Sequence, residues 1–293
     1  MTSSADVNSD FEAANIQRLP VNTETFKIND WVIQYKKSHI LHSQCKTADK
    51  CSNSSNETCQ FCIYTNMLNL PHLPEMVFPN NILYISHTSG VQIEFNALDA
   101  LKLVSSGKLD LKVSCSETWM ESRDPSNLGE KIKPFDWTFT TNYNGTLSGP
   151  VSTEPTEERI NIERLKEREK ILFYHELMLF EDELHDNGIA SCTVKIRVMP
   201  SSFFVLLRYF LRVDGVLVRI NDTRYFHDFA TNYVLREYTN KESPVQKLQL
   251  PLPMFGDPNL ISSYLPIIEG CYEKLMWPSN STSISSDTTT IIN

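Results

Sequence analysis

Alternating apolar and polar positions dominate the second half of the chain and predict antiparallel strands. The clearest pattern spans Ser191–Asn221, where two β-forming runs flank Asp214-Gly215. This dipeptide favours a two-residue hairpin turn, because it tolerates the positive φ that such a turn needs. With that loop, Val213 is expected to face Val216, and alternate side chains share one side of the sheet. The pattern therefore predicts a hairpin whose two faces can be assigned residue by residue.

One face of this hairpin is predicted to hold three arginines around a phenyl ring. In the predicted register this face pairs Arg212 with Leu217, Phe210 with Arg219, and Arg208 with Asn221. Two interpretations are open. The guanidinium groups either pair with carboxylates of the chain itself or form a surface for an anionic partner, since arginine binds carboxylates bidentately.

Shorter alternating runs predict further strands on either side of the hairpin. They are Trp31–Ile40 after a turn at Asn29-Asp30, Ile82–Ser86 and Val91–Phe95 joined by His87–Gly90, Leu109–Cys115, Phe135–Tyr143 before a turn at Asn144-Gly145, and Tyr233–Thr239.

Two segments have the spacing of helices. A short helix is expected over Asp99–Val104, and a long one over Asn161–Asp186, where apolar residues recur every three, four or seven positions. Asn187-Gly188 supplies a left-handed stop for the long helix. The expected architecture is an α+β fold, with a mostly antiparallel β core of sandwich-like sheets, one long helix and several short helices.

Length and composition favour one folded domain between two tails. The chain has 293 residues, of which 41% are hydrophobic and 22% charged, as in soluble globular proteins. Polar, aperiodic ends predict disordered tails over residues 1–23 and 279–293 around a domain at 24–278. A net charge of −9 argues against nucleic acid as the main partner, because phosphate neutralisation needs a basic surface.

No targeting or membrane segment is visible along the chain. The first ten residues lack the basic and apolar regions of a secretory signal, and the apolar run Phe203–Leu207 is too short to span a bilayer. We therefore expect an intracellular protein that does not bind membranes and whose cysteines are reduced.

Four cysteines lie close together in a polar segment. Cys45, Cys51, Cys59 and Cys62 end in a Cys-x-x-Cys pair, the raw material of a tetrahedral zinc site, with His39 and His42 as substitute ligands. The loose upstream spacing and the scarcity of apolar residues instead favour a flexible loop of reduced thiols without a metal.

Catalytic signatures are missing from the sequence. It contains no GxSxG, P-loop, GxGxxG or HExxH motif, so neither catalysis nor a cofactor is expected. Two other functions stay open. Glu181 and His185, or Asp182 and Asp186, would lie one helical turn apart, as a metal-dependent hydrolase could use. Residues 163–170 would form a charged helical surface for a protein-interaction scaffold.

Five long motifs provide a more specific indication. They are LPHLPEMVFPNNILYI, IEFNALDAL, KPFDWTFTTNYNGTL, LFEDELHDNGIASCTVKIRVMPSSFF and LLRYFLRVDGVLVRINDTR. Together they closely resemble the TIPRL family, the TOR signalling pathway regulator-like proteins. The resemblance covers about Asp30–Pro278. The cysteine-rich segment, from Gln44 to about Ile63, looks like an insertion relative to the family, and the N-terminal tail is longer than usual.

The resemblance implies a function as well as a fold. It implies a non-catalytic regulator in the cytoplasm and nucleus, which binds catalytic subunits of type 2A, 4 and 6 protein phosphatases, including their C-terminal tail. Such a regulator restrains phosphatase activity and acts in TOR signalling alongside the alpha-4 class of phosphatase regulators. Its β core is expected to be mostly antiparallel with surrounding helices.

The same motifs imply positions that bind the partner. Carried over by motif they are Asp99, Ile160, Ile220 and Asp222. The expected arginine face, with Arg208, Phe210, Arg212 and Arg219, would suit an acidic, aromatic-containing tail that ends in a carboxylate. Asp99 has an alternative role as a helix cap, and Asp222 as part of a turn.

Overall fold

The computed structural model describes residues 21–45, 51, 59–68, 70, 72–104 and 138–278. Within these ranges the strands are β1 Asn22–Ile28, β2 Trp31–Lys37, β3 Met76–Val77, β4 Ile82–His87, β5 Gln92–Phe95, β6 Thr146–Ser148, β7 Ser152–Pro155, β8 Phe173–Asp182, β9 Gly188–Val198, β10 Ser202–Val213, β11 Leu217–Asp228, β12 Tyr233–Pro244 and β13 Ile267–Met276. The α-helices are α1 Gln60–Met67, α2 Ala97–Lys102, α3 Ile162–Lys166, α4 Val245–Leu248 and α5 Pro258–Ile261, and Leu184–Asp186 and Leu252–Gly256 form 3₁₀ turns.

The strands form two antiparallel sheets. The five-stranded sheet has the order β1-β2-β4-β5-β6, and the eight-stranded sheet has the order β3-β8-β9-β10-β11-β12-β13-β7. Strands β8 to β13 follow one another both along the chain and across the sheet, and the connections between successive strands from β8 to β12 are short. The expected α+β class with a mostly antiparallel β core is confirmed.

The two sheets enclose the main core between them. Trp31 of β2 packs edge-on against Phe203 of β10, with ring centroids 5.1 Å apart. Phe95 of β5 meets Tyr225 of β11 in the same way at 5.5 Å. Such edge-to-face pairs are favourable, and they join both sheets in one buried cluster.

A second, smaller core lies on the opposite face of the eight-stranded sheet, which we call the outer face. Phe210, Val218 and Ile220 point to this side and pack against Phe255 and Ile261. We call residues 250–266, which contain the second 3₁₀ turn and α5, the cover segment. It shields this part of the outer face from solvent.

Several expected strands are confirmed. The hairpin of β4 and β5, the strand β12 and most of the strand at Trp31–Ile40 are present, and Asn29 turns the chain with φ 49°. The predicted strand Leu109–Cys115 lies outside the described residues. So does the first part of Phe135–Tyr143, whose described remainder is irregular apart from a bridge between Val104 and Thr141.

The predicted tails fall mainly outside the described residues. Residues 1–20 and 279–293 are not among them. Asn22 and Thr23, which the polar pattern placed in the N-terminal tail, already belong to β1 and pair with β2.

The expected long helix over Asn161–Asp186 is wrong. Its place is taken by the short α3, by β8 and by the first 3₁₀ turn. A bulge between Met178 and Phe180 inserts one extra residue into β8. The bulge changes the apolar spacing of a strand from two to three, so a bulged strand imitates the three- and four-residue spacing of a helix.

The predicted register of the central hairpin is also wrong, by one residue. Val213 lies opposite Leu217, so the loop contains three residues instead of two. Gly215 takes the left-handed conformation at φ 69°, whereas Asp214 does not. A two-residue turn of the expected type needs positive φ at both central positions, while a three-residue loop needs it at only one.

Candidate functional site

The register of the hairpin separates the arginines that the sequence grouped together. The outer face carries Arg208, Phe210, Arg212, Ile220 and Asp222. Arg219 lies opposite Leu211, whose side chain is in the main core, and therefore on the other side of the sheet. The expected ring of three guanidinium groups around Phe210 is wrong, because a shift of one residue moves side chains to the opposite face.

Arg208 is held in a buried ion pair within the chain. Its Nε lies 2.6 Å from Asp222 Oδ1 and its Nη2 lies 2.7 Å from Oδ2, a bidentate arrangement. The Asp222 side chain is 0% exposed. Two parallel charge-assisted hydrogen bonds are the geometry that a buried pair requires. For Arg208, the interpretation as an internal salt bridge therefore describes the structure.

The same guanidinium group also fastens the cover segment to the sheet. Arg208 Nη1 donates to Asn259 Oδ1 of α5 at 2.8 Å. Nearby, Lys241 Nζ of β12 donates to the Ser262 carbonyl oxygen at 2.9 Å. Burial, together with the neighbouring Arg224 guanidinium, lowers the pKa of Lys241. Sequence reasoning missed Asn259 and Lys241, because nothing in local spacing indicates contacts to strands so distant along the chain.

Arg219 also has a carboxylate partner inside the chain. Its Nε donates to Glu242 Oε2 on the adjacent strand β12 at 2.6 Å, and its Nη1 donates to Thr140 Oγ1 at 2.8 Å. Glu242 is the direct cross-strand neighbour of Arg219. Opposite charges on directly paired residues stabilise a sheet, which gives Arg219 a structural role between β11 and β12.

Arg212 is the most exposed arginine of the predicted face. Its Nε contacts Asp214 Oδ1 at 2.7 Å, and the two side chains are 30% and 55% exposed. Beside them lies a cleft of ≈ 330 Å³, lined by Arg212, Asp214, Gly215, Val245, Leu252 and Phe255. We call it the Arg212 cleft. An exposed ion pair contributes only about 0–1 kcal/mol, so an incoming carboxylate can replace Asp214 at little cost.

Exposed apolar side chains surround this region of the outer face. They come from the hairpin tip, the cover segment and the start of β13: Val216, Leu252, Leu260, Tyr264, Ile267 and Ile268. Leu252, which also lines the Arg212 cleft, is 83% exposed. Single exposed apolar residues are ordinary, but a concentration of them is typical of protein interaction surfaces.

Asp99 lies on α2, beside the five-stranded sheet. The N-cap of α2 is Asn96, whose Oδ1 accepts from the Asp99 backbone N at 2.8 Å, so Asp99 itself is not the cap. The Asp99 carboxylate accepts hydrogen bonds from Asn96, Lys102 and Thr146 of β6. Burial alone would raise its pKa, but these hydrogen bonds outweigh burial and lower it. Asp99 thus braces α2 against β6.

Ile160 lies in a third small cluster on the outer face, where it packs with Phe226 and Leu235. Its backbone N donates to Glu237 Oε1 at 2.7 Å. Ile160 is therefore buried, as are Ile220 and Asp222. In the described conformation a partner does not contact these three side chains directly. They can affect binding only by supporting the residues at the surface above them.

Comparison with known proteins shows the family of the chain. The model of the TIP41-like family matches residues 76–249. The chain is 48% identical to the TIP41-like protein of Rattus norvegicus over 262 residues, covering 87% of this chain and 90% of that protein. The chain belongs to the TIP41-like family. It is also similar to the type 2A phosphatase activator TIP41 of Saccharomyces cerevisiae, with 36% identity, 84% of this chain and 72% of that protein.

The sequence of this TIP41-like chain suggested two kinds of metal site, one at Glu181 and His185 and one at the four cysteines, and the structure treats them differently. Glu181 lies in β8 opposite Ser191, so the helical spacing that would have brought it to His185 does not exist. Among the described residues, the cysteines Cys45, Cys51, Cys59 and Cys62 form the one cluster of three or more side chains that could hold a metal ion. His39 and His42 line a neighbouring cleft with Cys59 instead of joining the four sulfurs. A hydrogen bond with the Cys45 thiol, and burial, raise the pKa of Cys62 to about 12.

The helices of this TIP41-like chain are short. Among the described residues, none is long and apolar enough to cross a membrane.

Proposed function

We propose that this protein is a non-catalytic regulator that binds the catalytic subunits of type 2A, 4 and 6 protein phosphatases and modulates their activity within TOR signalling. The observation that carries the proposal is the similarity, over most of the chain, to a yeast protein named as a type 2A phosphatase activator. Membership of the TIP41-like family supports it as well.

The Arg212 cleft is the surface that we propose for the C-terminal tail of the phosphatase. A terminal carboxylate would take the place of Asp214 on the guanidinium group, which presents a planar fork for bidentate binding. Apolar side chains of the tail would contact Leu252 and Phe255, which line the same cleft. A few polar contacts within an apolar groove are a common way to recognise a peptide terminus.

The buried candidates would act by positioning the cover segment. Arg208 joins Asp222 to Asn259, and Ile220 packs beneath Phe255 and Ile261. A substitution at Asp222 or Ile220 would therefore displace Leu252 and its neighbours. We expect such variants to lose phosphatase binding together with stability, whereas a variant of a direct contact loses binding alone.

Binding of purified type 2A catalytic subunit to Arg212→Ala tests this proposal. A bound tail would shield Arg212 from water, and loss of a charge-assisted hydrogen bond there costs about 1.5–3 kcal/mol, so we expect affinity for the full-length subunit to fall ~10- to 100-fold. A subunit without its C-terminal tail should bind the variant and the wild type equally. The matched control is Arg168→Ala, another exposed arginine. It lies near Ser202 at the far end of β10, roughly 33 Å along the strand from Arg212.

Three outcomes would separate the alternatives. Equal loss of phosphatase binding with Arg168→Ala would show that the loss is not specific to the Arg212 cleft, whereas a scaffold function predicts that changes at residues 163–170 abolish partners other than phosphatases. Equal binding of Arg212→Ala and wild type to the full-length subunit would mean that the tail does not bind in the Arg212 cleft. The proposed regulator function would still stand. Failure of the wild-type protein to bind any of the three catalytic subunits would overturn the proposed function itself.

A further inference from the structure

The four cysteines of the polar segment converge although they are widely spaced along the chain. Cys45 Sγ lies 3.4 Å from Cys51 Sγ, 3.7 Å from Cys59 Sγ and 3.4 Å from Cys62 Sγ. All four sulfur atoms lie within 4.8 Å of one another. Five, seven and two residues separate successive cysteines, so local backbone geometry does not by itself bring the thiols together.

These distances fit one tetrahedral ion better than the other arrangements open to cysteine. A zinc ion bonded to four thiolates at about 2.3 Å places the sulfurs about 3.8 Å apart. A disulfide needs a sulfur–sulfur distance of about 2.05 Å, well below the distances in this cluster. A four-iron cluster needs a larger cavity, because its inorganic core separates the thiolates further.

We propose that Cys45, Cys51, Cys59 and Cys62 bind a single zinc ion in a structural site. All four positions of the tetrahedron are filled by the protein, which is typical of structural zinc and leaves no position for a substrate. Cys59 and Cys62 are buried and the other two are half-buried. Tetrahedral coordination by four thiolates selects zinc or iron among the common metals, and intracellular structural sites of this type mostly hold zinc.

The second pair of cysteines belongs to α1. Cys59 is the N-cap of this helix and Cys62 lies in its first turn. No side-chain hydrogen bond caps α1 at Cys59. The zinc ion would therefore organise a helix start that otherwise lacks a capping side chain.

The site would attach the cysteine segment to the β core. Tyr64 and Leu68, in and just after α1, are buried in the main core. Upstream, the Leu41 backbone N donates to the Val77 carbonyl oxygen at 2.7 Å. A helix of eight residues is marginal in isolation, so an ion that links it to Cys45 and Cys51 would hold it against these contacts.

Elemental analysis of the full-length protein tests the proposal. After growth in zinc-containing medium and gel filtration, we expect about one zinc per chain. The double variant Cys59→Ser/Cys62→Ser should contain almost none. The matched control is Cys271→Ser, an exposed cysteine of β13 outside the cluster, which should keep the full zinc content. In the wild type and the control, a strong chelator should lower the melting temperature by several degrees, and it should not do so in the double variant.

The wild-type protein alone can overturn the proposal, which keeps the test valid if the double variant fails to fold. Zinc well below one per chain, together with no thiolate charge-transfer absorption when the chelated protein is titrated with cobalt(II), would reject a metal site. An intact mass lower by four hydrogens would show two disulfides instead. Stoichiometric iron in the wild type would reject zinc as the bound ion. None of these results depends on binding to a phosphatase.

Discussion

At the scale of single residues, arginines that look alike in the sequence have different roles because their side chains differ in exposure to solvent. The Arg208 side chain is 8% exposed and bound to the buried Asp222 carboxylate, whereas that of Arg212 is 30% exposed and bound to a surface carboxylate. Removing one partner of a buried pair leaves an uncompensated charge in a medium that solvates it poorly. The free energy of an exposed pair is small because water competes for both partners.

We therefore predict unequal effects of two alanine substitutions on stability. Arg208→Ala should lower the free energy of unfolding by about 3–5 kcal/mol, because Asp222 stays buried, loses its bidentate partner and keeps only the longer contact to Arg224 Nη2 at 3.4 Å. Arg212→Ala should lower it by at most ~1 kcal/mol. Urea denaturation of both variants measures the difference. Similar losses would mean that the two ion pairs are equally exposed in solution.

Buried histidine is a second residue-scale feature with a measurable consequence. His227 is surrounded by the rings of Trp31, Phe203 and Trp277, and its Nδ1 is hydrogen-bonded to the Tyr233 carbonyl oxygen. Burial lowers the pKa of His227 to about 4, and this hydrogen bond offsets only part of the decrease. Burial also lowers the pKa of the adjacent His87. Both rings are thus neutral in the folded protein near neutral pH.

This predicts a loss of stability in mild acid. The unfolded chain takes up a proton at His227 near pH 6.5, whereas the folded chain does so only near pH 4. The stabilisation is therefore complete above pH 6.5 and decreases as pH falls to 4, by a total on the order of 3 kcal/mol. Urea denaturation between pH 7 and 4 should show a shallower decline for His227→Gln. An unchanged slope in His227→Gln would contradict the assignment.

At the scale of elements, two glycines shape the central strands in different ways. Gly188 begins β9 with φ 149°, where a Cβ would lie 1.9 Å from the Arg212 carbonyl oxygen. Gly215, at the hairpin tip, has φ 69° and open space around it. The sequence had assigned Gly188 to the end of a helix. Its actual role is to let β9 approach β10 closely.

Alanine substitutions at these glycines should differ in cost. Gly188→Ala combines a backbone conformation that residues with side chains avoid with a steric clash. We expect it to lower the free energy of unfolding by about 3–5 kcal/mol. In Gly215→Ala only the left-handed conformation is unfavourable, and we expect the free energy of unfolding to fall by about 1 kcal/mol. Thermal and urea unfolding of both variants would measure this order. The reverse order would mean that the turn at Gly215 matters more for stability than the close approach of β9 to β10 at Gly188.

Prediction at the element scale depended on whether a pattern was regular. The hairpin of β4 and β5 was predicted well, because its strands alternate without interruption around a short turn. The bulge in β8 imitated a helix, and the third residue of the Asp214–Val216 loop shifted the register of β10 against β11. A single inserted residue is decided by packing on both faces of the sheet, which local spacing does not contain.

At the scale of the whole molecule, one core connects both sheets. Side chains of β2, β4 and β5 are buried in the same cluster as those of β9, β10 and β11. Each sheet would expose that apolar face if it separated from the other, so neither is expected to persist alone.

We therefore predict one cooperative unfolding transition for the two sheets. In a variant that keeps only Trp31 of the four tryptophans, fluorescence reports on the contact between the sheets, and far-UV circular dichroism reports on the strands themselves. The two signals should change at the same urea concentration. A fluorescence midpoint clearly below that of circular dichroism would show that the sheets separate before they unfold.

The sequence by itself determined the antiparallel α+β class, several strand positions and the family, because these depend on alternation and on long motifs. Tertiary structure decided which face each arginine occupies, since a register shift of one residue reverses the faces. It also decided which candidates are buried, and it brought together four cysteines whose loose spacing had favoured reduced thiols in a flexible loop. Exposure and distance between remote residues arise only when the strands pack, so the sites that depend on them could not be read from local pattern.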